Sequence, residues 1–218
     1  MIVVMSWSTR AWWLVGPIVG MALGSVDSIV NHVPVLLGEV GIARAERGGW
    51  SQAAEFGSLI LDAGWAWAAA AVLVGWLVSQ HATTRQTSGL WRSAAAGGSA
   101  LIFATAAYYG TDLLFDGGGW WGMATRYWLV GSALLGPPLG LAGALTRRPG
   151  PVGKVATLVV PAGAALQMAL LPPPPDSRMT QPVRYSVWIA AVLVTAVVTA
   201  HRGRRRNAVP SPTDPLGG

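Results

Sequence analysis

Four carboxylates in this 218-residue chain, Asp27, Glu39, Asp62 and Asp112, stand inside or at the edge of apolar runs. An ionisable side chain costs about 2.5 to 3.5 kcal/mol at the centre of a membrane helix, so such groups are kept for pairing, proton relay or catalysis. A carboxylic acid held neutral by an apolar pocket can act as a general acid at neutral pH. Aromatic side chains recur beside these acids. Asp62, Trp65, Ala69 and Trp76 share one helical face; Tyr108, Asp112, Phe115 and Asp116 share another, with Tyr109 three residues before Asp112. Aromatic faces attract cations and resist nucleophilic attack, and this pairing with acids suits a reaction that passes through carbocations. The candidate acids are therefore Glu39, Asp27, Asp62 and Asp112. Trp65, Tyr108, Tyr109, Phe115, Trp128, Arg126 and Asn31 are the candidate substrate-binding residues. The plainer account is a set of rim ion pairs, Arg126 with Asp112 or Asp116 foremost, and an interfacial aromatic belt drawn from the twelve tryptophans.

The elements that must position these groups are membrane helices. The chain is 52% hydrophobic and 11% charged, too little polar surface for a soluble domain of this size. The pattern predicts an all-α, polytopic transmembrane bundle of about six spans, at 11–30, 59–78, 94–115, 127–145, 155–171 and 185–200. The last two are short. A single transmembrane domain over 1–206 is expected, followed by a disordered tail at 207–218 that is rich in Pro and Gly. Arg10 and the apolar run after it resemble a secretory signal, but the run is read as a retained helix. On the first helix Gly16, Gly20 and Gly24 recur every fourth residue, with Asp27 and Asn31 near the same stripe. Close helix approach there would turn Asp27 into an interface. The segment 31–58 is apolar over 33–43 apart from Glu39, too short to cross, and interrupted by Pro34, Gly38 and Gly41. It is expected to be re-entrant or interfacial, carrying Glu39 towards the bundle interior.

Six spans put both termini on one side. Ten of the 15 basic residues fall there (Arg10, Arg85, Arg92, Arg147, Arg148, Lys154, Arg202, Arg204, Arg205 and Arg206), which places both termini in the cytoplasm. Eight of the nine carboxylates then face the outer half, Asp214 being the exception. Arginine dominates the bases and Ala and Gly are abundant, a composition that suggests a bacterial plasma membrane.

Other chemistries find no residues. There is no cysteine, so thiolate, disulfide and iron–sulfur roles are excluded. No GxxxxGK[ST], HExxH or GxSxG occurs, and His32, His81 and His201 are too scattered for a metal site. Asp112 and Asp116 form a lone DxxxD, weak support for magnesium-bound diphosphate. No cofactor and no metal is expected. The net charge of +6 lies in short loops and at the C-terminus, as topology signals and not as a nucleic-acid footprint.

A compact bundle, acids near Glu39 and Asp112, the aromatic segments Trp65-Ala66-Trp67 and Trp120-Trp121, and the lack of DDxxD or DxDD are together similar to the small integral membrane terpene cyclases of meroterpenoid pathways. The fungal members tend to have seven spans, one more than are drawn here. The resemblance implies metal-independent protonation of an alkene or epoxide on a prenylated substrate, the partners being a lipophilic isoprenoid and membrane lipid. Two other functions fit the same residues. A proton-coupled carrier would use the acids as a relay and Pro137-Pro138 as a hinge, although no acid lies within a span on the cytoplasmic side. A non-catalytic accessory subunit would use the Gly-rich faces for a partner. Oligomeric state is not legible.

Overall fold

The structure, a computed structural model, describes residues 11–80, 86–116 and 120–207. Seven α-helices fill it: α1 (Trp12–Leu36), α2 (Gly49–Leu61), α3 (Gly64–Gln80), α4 (Gln86–Asp116), α5 (Met123–Leu145), α6 (Pro151–Leu170) and α7 (Thr180–Asn207). There is no strand among the described residues. Four helices, α1, α5, α6 and α7, are long and apolar enough to cross a membrane, and α2 with α3 adds a fifth candidate as a pair bent by 60°. Arg10, His81, Arg85, Asp214 and the tail beyond Asn207 lie outside the described residues. The side chains of Asp116, Arg202, Arg204, Arg205 and Arg206 lie outside the described side chains.

Helix α4 fails the hydropathy criterion because glycine, serine, threonine and tyrosine dilute its apolar residues, yet it packs against α1, α3 and α5. A helix whose flanks are covered by protein needs little apolar surface for lipid. The α1–α4 seam is the glycine stripe itself: a Cβ on Gly16, Gly20 or Gly24 would land on the carbonyl oxygen of Ala96, Ala100 or Ala104. Backbones in such contact exclude lipid and gain dispersion energy along the whole seam. On the opposite flank Gly97 and Gly98 of α4 meet Gly136 and Gly140 of α5 in the same way.

Two expected boundaries shift, with consequences for the site. Helix α1 does not stop at Val30 but runs to Leu36, absorbing Pro34. It ends where Gly38 takes φ +72°, with Glu39 N–H donating to Pro34 O at 2.9 Å and Gly38 N–H to Val35 O at 3.0 Å. This Schellman arrangement satisfies the last carbonyls through a residue that only glycine fills without strain. The expected 59–78 span is broken at Asp62–Ala63. Segment 31–58 is therefore not one re-entrant unit: its start extends α1, and 49–58 makes up most of α2.

Helices α6 and α7 are longer than expected, reaching back to Pro151 and Thr180, and both are long enough to cross. Helix α5 is continuous through Pro137 and Pro138, so the span is not broken there. At the end where α1 finishes, Arg44 links Glu55 of α2 (3.4 Å) to Asp176 in the α6–α7 connector (3.8 Å). There the plain ion-pair account of the acids holds. Under α2, Phe56, Leu59 and Ile60 pack on Ala164, Met168, Val183 and Val187.

The seam makes a specific demand. Gly20→Leu should destabilise the bundle by about 1 to 3 kcal/mol through overpacking against Ala100. Gly163→Leu, whose Cβ would meet nothing within 4 Å, should not. Thermal unfolding in detergent, followed by size-exclusion profile, compares the two.

Candidate functional site

One amide gathers the polar groups. Asn31, a helical turn beyond Asp27 on α1, donates from Nδ2 to both Asp62 oxygens (3.1 and 3.0 Å) and to the Tyr108 hydroxyl (3.1 Å). Its Oδ1 accepts from Ser58 Oγ at 2.5 Å, and that hydroxyl also lies 3.4 Å from Asp62 Oδ2. Asp62 sits in the break between α2 and α3, one turn after Ser58, so the bend itself aims the carboxyl at α1 and α4. Trp67 crosses the break from the other side. Its Nε1–H faces Leu61 O at 2.9 Å and Asp27 Oδ2 at 3.3 Å, serving the frayed end of α2 and a carboxyl at once. Asp27 is completely buried, and its carboxyl comes within hydrogen-bonding reach of that of Asp62.

Asp62 also forms part of the wall of a partly open cavity of about 650 Å³ between α3, α4, α5 and α6. Trp65, Trp67, Tyr108, Tyr109 and Trp128 supply its aromatic wall, and Leu135, Leu139 and Val159 its aliphatic wall. That volume lies within the roughly 300 to 1,000 Å³ usual for small-molecule sites. Tyr108 touches Tyr109 edge to face (5.2 Å between centroids) and stands at a similar angle to Trp67 (6.3 Å). Trp65 is held by its backbone N–H, which donates to Gln167 Oε1 of α6 at 3.1 Å, while its indole Nε1 is buried without a partner. A buried donor in a cavity wall is a handle for an oxygen on a ligand.

Of the expected acids, Asp27 and Asp62 meet and Asp112 lies close by. Asp112 pairs with His32, Oδ1 to Nε2 at 3.5 Å, and His32 Nδ1 contacts Ser28 O at 2.8 Å. Phe115 stacks on the His32 ring at 4.4 Å and so is not part of the cavity wall. A carbonyl can only accept, so Nδ1 carries a hydrogen. The fourth acid is elsewhere. Glu39 does not reach the bundle interior: its carboxylate accepts the Gly48 N–H at 3.1 and 3.2 Å, capping α2, because the turn at Gly38 points it along the loop. Arg126 is exposed at the start of α5 and forms no ion pair with Asp112. The alternative partner, Asp116, lies outside the described side chains.

The pattern missed several members of the site. Ser58 could have been found from its i, i+4 spacing to Asp62; Gly131, Ser132 and Gly163 had no local signal, since only packing turns them to the cavity. Among the described residues no three His, Cys, Asp or Glu side chains converge to hold a metal ion. No protein family, curated protein or solved structure matches the chain. The likeness to membrane terpene cyclases therefore rests on topology and the acid and aromatic pattern alone.

Asn31→Leu removes the donor to Asp62 and Tyr108 together and should cost about 1 to 3 kcal/mol for the polar groups left without partners. Glu39→Gln keeps an acceptor at the α2 N-terminus and should cost only the charge, about 0.3 to 1 kcal/mol. Parallel thermal melts should rank the two in that order.

Proposed function

We propose that the chain is a membrane-embedded cyclase that protonates an isoprenoid alkene or epoxide and guides the resulting carbocation to a ring. The observation that carries this reading is the single carboxyl, Asp62, in the wall of a large aromatic and aliphatic cavity. In the reaction Asp62 gives its proton to the terminal alkene carbon or the epoxide oxygen. The cation moves along the chain as each internal π bond forms a new ring bond. Loss of a neighbouring C–H proton to the Asp62 carboxylate closes the cycle, so product and substrate have equal mass. The faces of Trp65, Trp67, Tyr108, Tyr109 and Trp128 stabilise the moving charge.

The cavity wall on α5 includes Trp128 and Leu135, both more than half exposed. Gly131 of α5 and Gly163 of α6 leave open space beside it. Such a lateral opening suits a substrate that arrives from the bilayer. In this reading α4 is a further crossing, the bent α2–α3 pair is one span, six spans result, and both termini are cytoplasmic.

The test is conversion of prenylated and epoxyprenylated aromatic compounds by membranes containing the protein, read as new isomers of unchanged mass. Asp62→Asn should lower the rate by about 10² to 10⁴, the usual contribution of a general acid. Gly163→Trp should fill the opening and abolish conversion in a protein that still folds. No conversion across the panel by folded wild type, or full activity in Asp62→Asn, would overturn the proposal.

A further inference from the structure

Asp27 is as deeply buried as any described side chain, with no exposed surface, and it is not part of the cavity wall. Its surroundings differ from those of Asp62. Both Asp62 oxygens accept the Asn31 amide, and Ser58 stands beside Oδ2. Asp27 receives only the longer arm of the Trp67 N–H, at 3.3 Å against 2.9 Å to Leu61 O, and its Oδ1 has no hydrogen-bond donor. Two carboxylates within hydrogen-bonding reach, one of them fully buried, repel, and one proton held between them removes the repulsion. Hydrogen-bond donors decide where it sits. The carboxyl that is supplied with donors carries the charge, and the one without them carries the hydrogen and becomes a donor itself.

We propose that Asp27 is the proton store of the site, a positioning residue that holds one hydrogen against Asp62 and acts on substrate only through it. The delivery step rests on the cyclase reading; the location of the proton does not. In the first step the Asp27 O–H bond breaks and an Asp62 O–H bond forms, leaving Asp27 as the carboxylate. Asp62 then protonates the substrate, and the proton released at the end of cyclisation returns by the same path, so none is consumed. The ionisable groups around the pair are Tyr108 on α4, bonded to Asn31, and, further towards the same end, Asp112 on α4 with His32 of α1. Asp62 faces Asp27 from the α2–α3 break, and from α3 the nearest polar group is the Trp67 indole, which does not titrate. In this arrangement Asp62 is an anion at rest, ready to accept a proton as well as to pass one on. A single cavity residue then serves both ends of the reaction.

Infrared difference spectroscopy on the purified protein in lipid nanodiscs reads this directly, through the deuterium-sensitive C=O stretch of a protonated carboxylic acid at neutral pH. Wild type minus Asp27→Asn should show the loss of one such band. Asp62→Asn should keep it, shifted in frequency because its acceptor has changed. Loss of the band in Asp62→Asn, or no difference between wild type and Asp27→Asn, overturns the assignment, and the first criterion stands even if Asp27→Asn fails to fold. In the isomerisation assay Asp27→Asn should lower kcat by about 10²-fold with KM unchanged. A band on Asp27 with no cyclisation by wild type would refute the cyclase reading alone. Cyclisation without that band would refute the proton store alone.

Discussion

The Asn31 side chain is the interaction on which the rest of the site depends. It accepts from Ser58 and donates to Asp62 and Tyr108, so one amide joins α1, the end of α2, the break before α3, and α4. Inside an apolar bundle an unmet polar group is costly, and a network is stable only when nearly every member has a partner. An amide suits this position because it offers an acceptor and two donor hydrogens in one plane. The bend at Asp62 and Ala63 is part of the same economy. Unpaired carbonyls at the end of α2 need a donor, and the indole of Trp67 supplies one while also reaching Asp27.

Glycine seams make that network possible. With α1 held against α4 at backbone contact, Asp27 and Asn31 come close enough to α4 for a short side chain to span the gap. The same seams cover much of α4, which frees part of its sequence to carry Thr105, Tyr108, Tyr109 and Asp112. Thr105 uses that freedom to bond Ser132 of α5 at 2.8 Å. The cavity lies where close packing ends, between α5 and α6, whose facing residues Gly131 and Gly163 leave space unfilled. Tight and loose helix pairs thus divide the bundle into a polar anchor and an apolar chamber, with Asp62 at their border.

The acids illustrate how differently equal-looking residues are used. Buried Asp27 lies within reach of Asp62, Asp112 holds His32, Glu39 caps a helix, and Glu55 answers Arg44. A carboxylate near a membrane helix end has several ways to find a partner within its reach, and hydropathy does not distinguish them. The first pair adjoins the cavity, with Asp62 in its wall.

Composition and period were enough to determine an all-helical chain with several helices apolar enough to cross a membrane, the glycine face of α1, the burial of Asp27, and most of the aromatic residues around Asp62. These follow from local rules: residues one turn apart share a face, and small residues admit a neighbour. The break at Asp62, the capping role of Glu39, the exposure of Arg126 and the contributions of Ser58, Gly131 and Gly163 were decided by tertiary structure. Each depends on what a distant helix presents at that point, such as the Asn31 amide opposite Asp62 or the gap beside α6. A one-dimensional pattern carries which side chains a helix shows on each face. It does not carry which face of another helix will meet them.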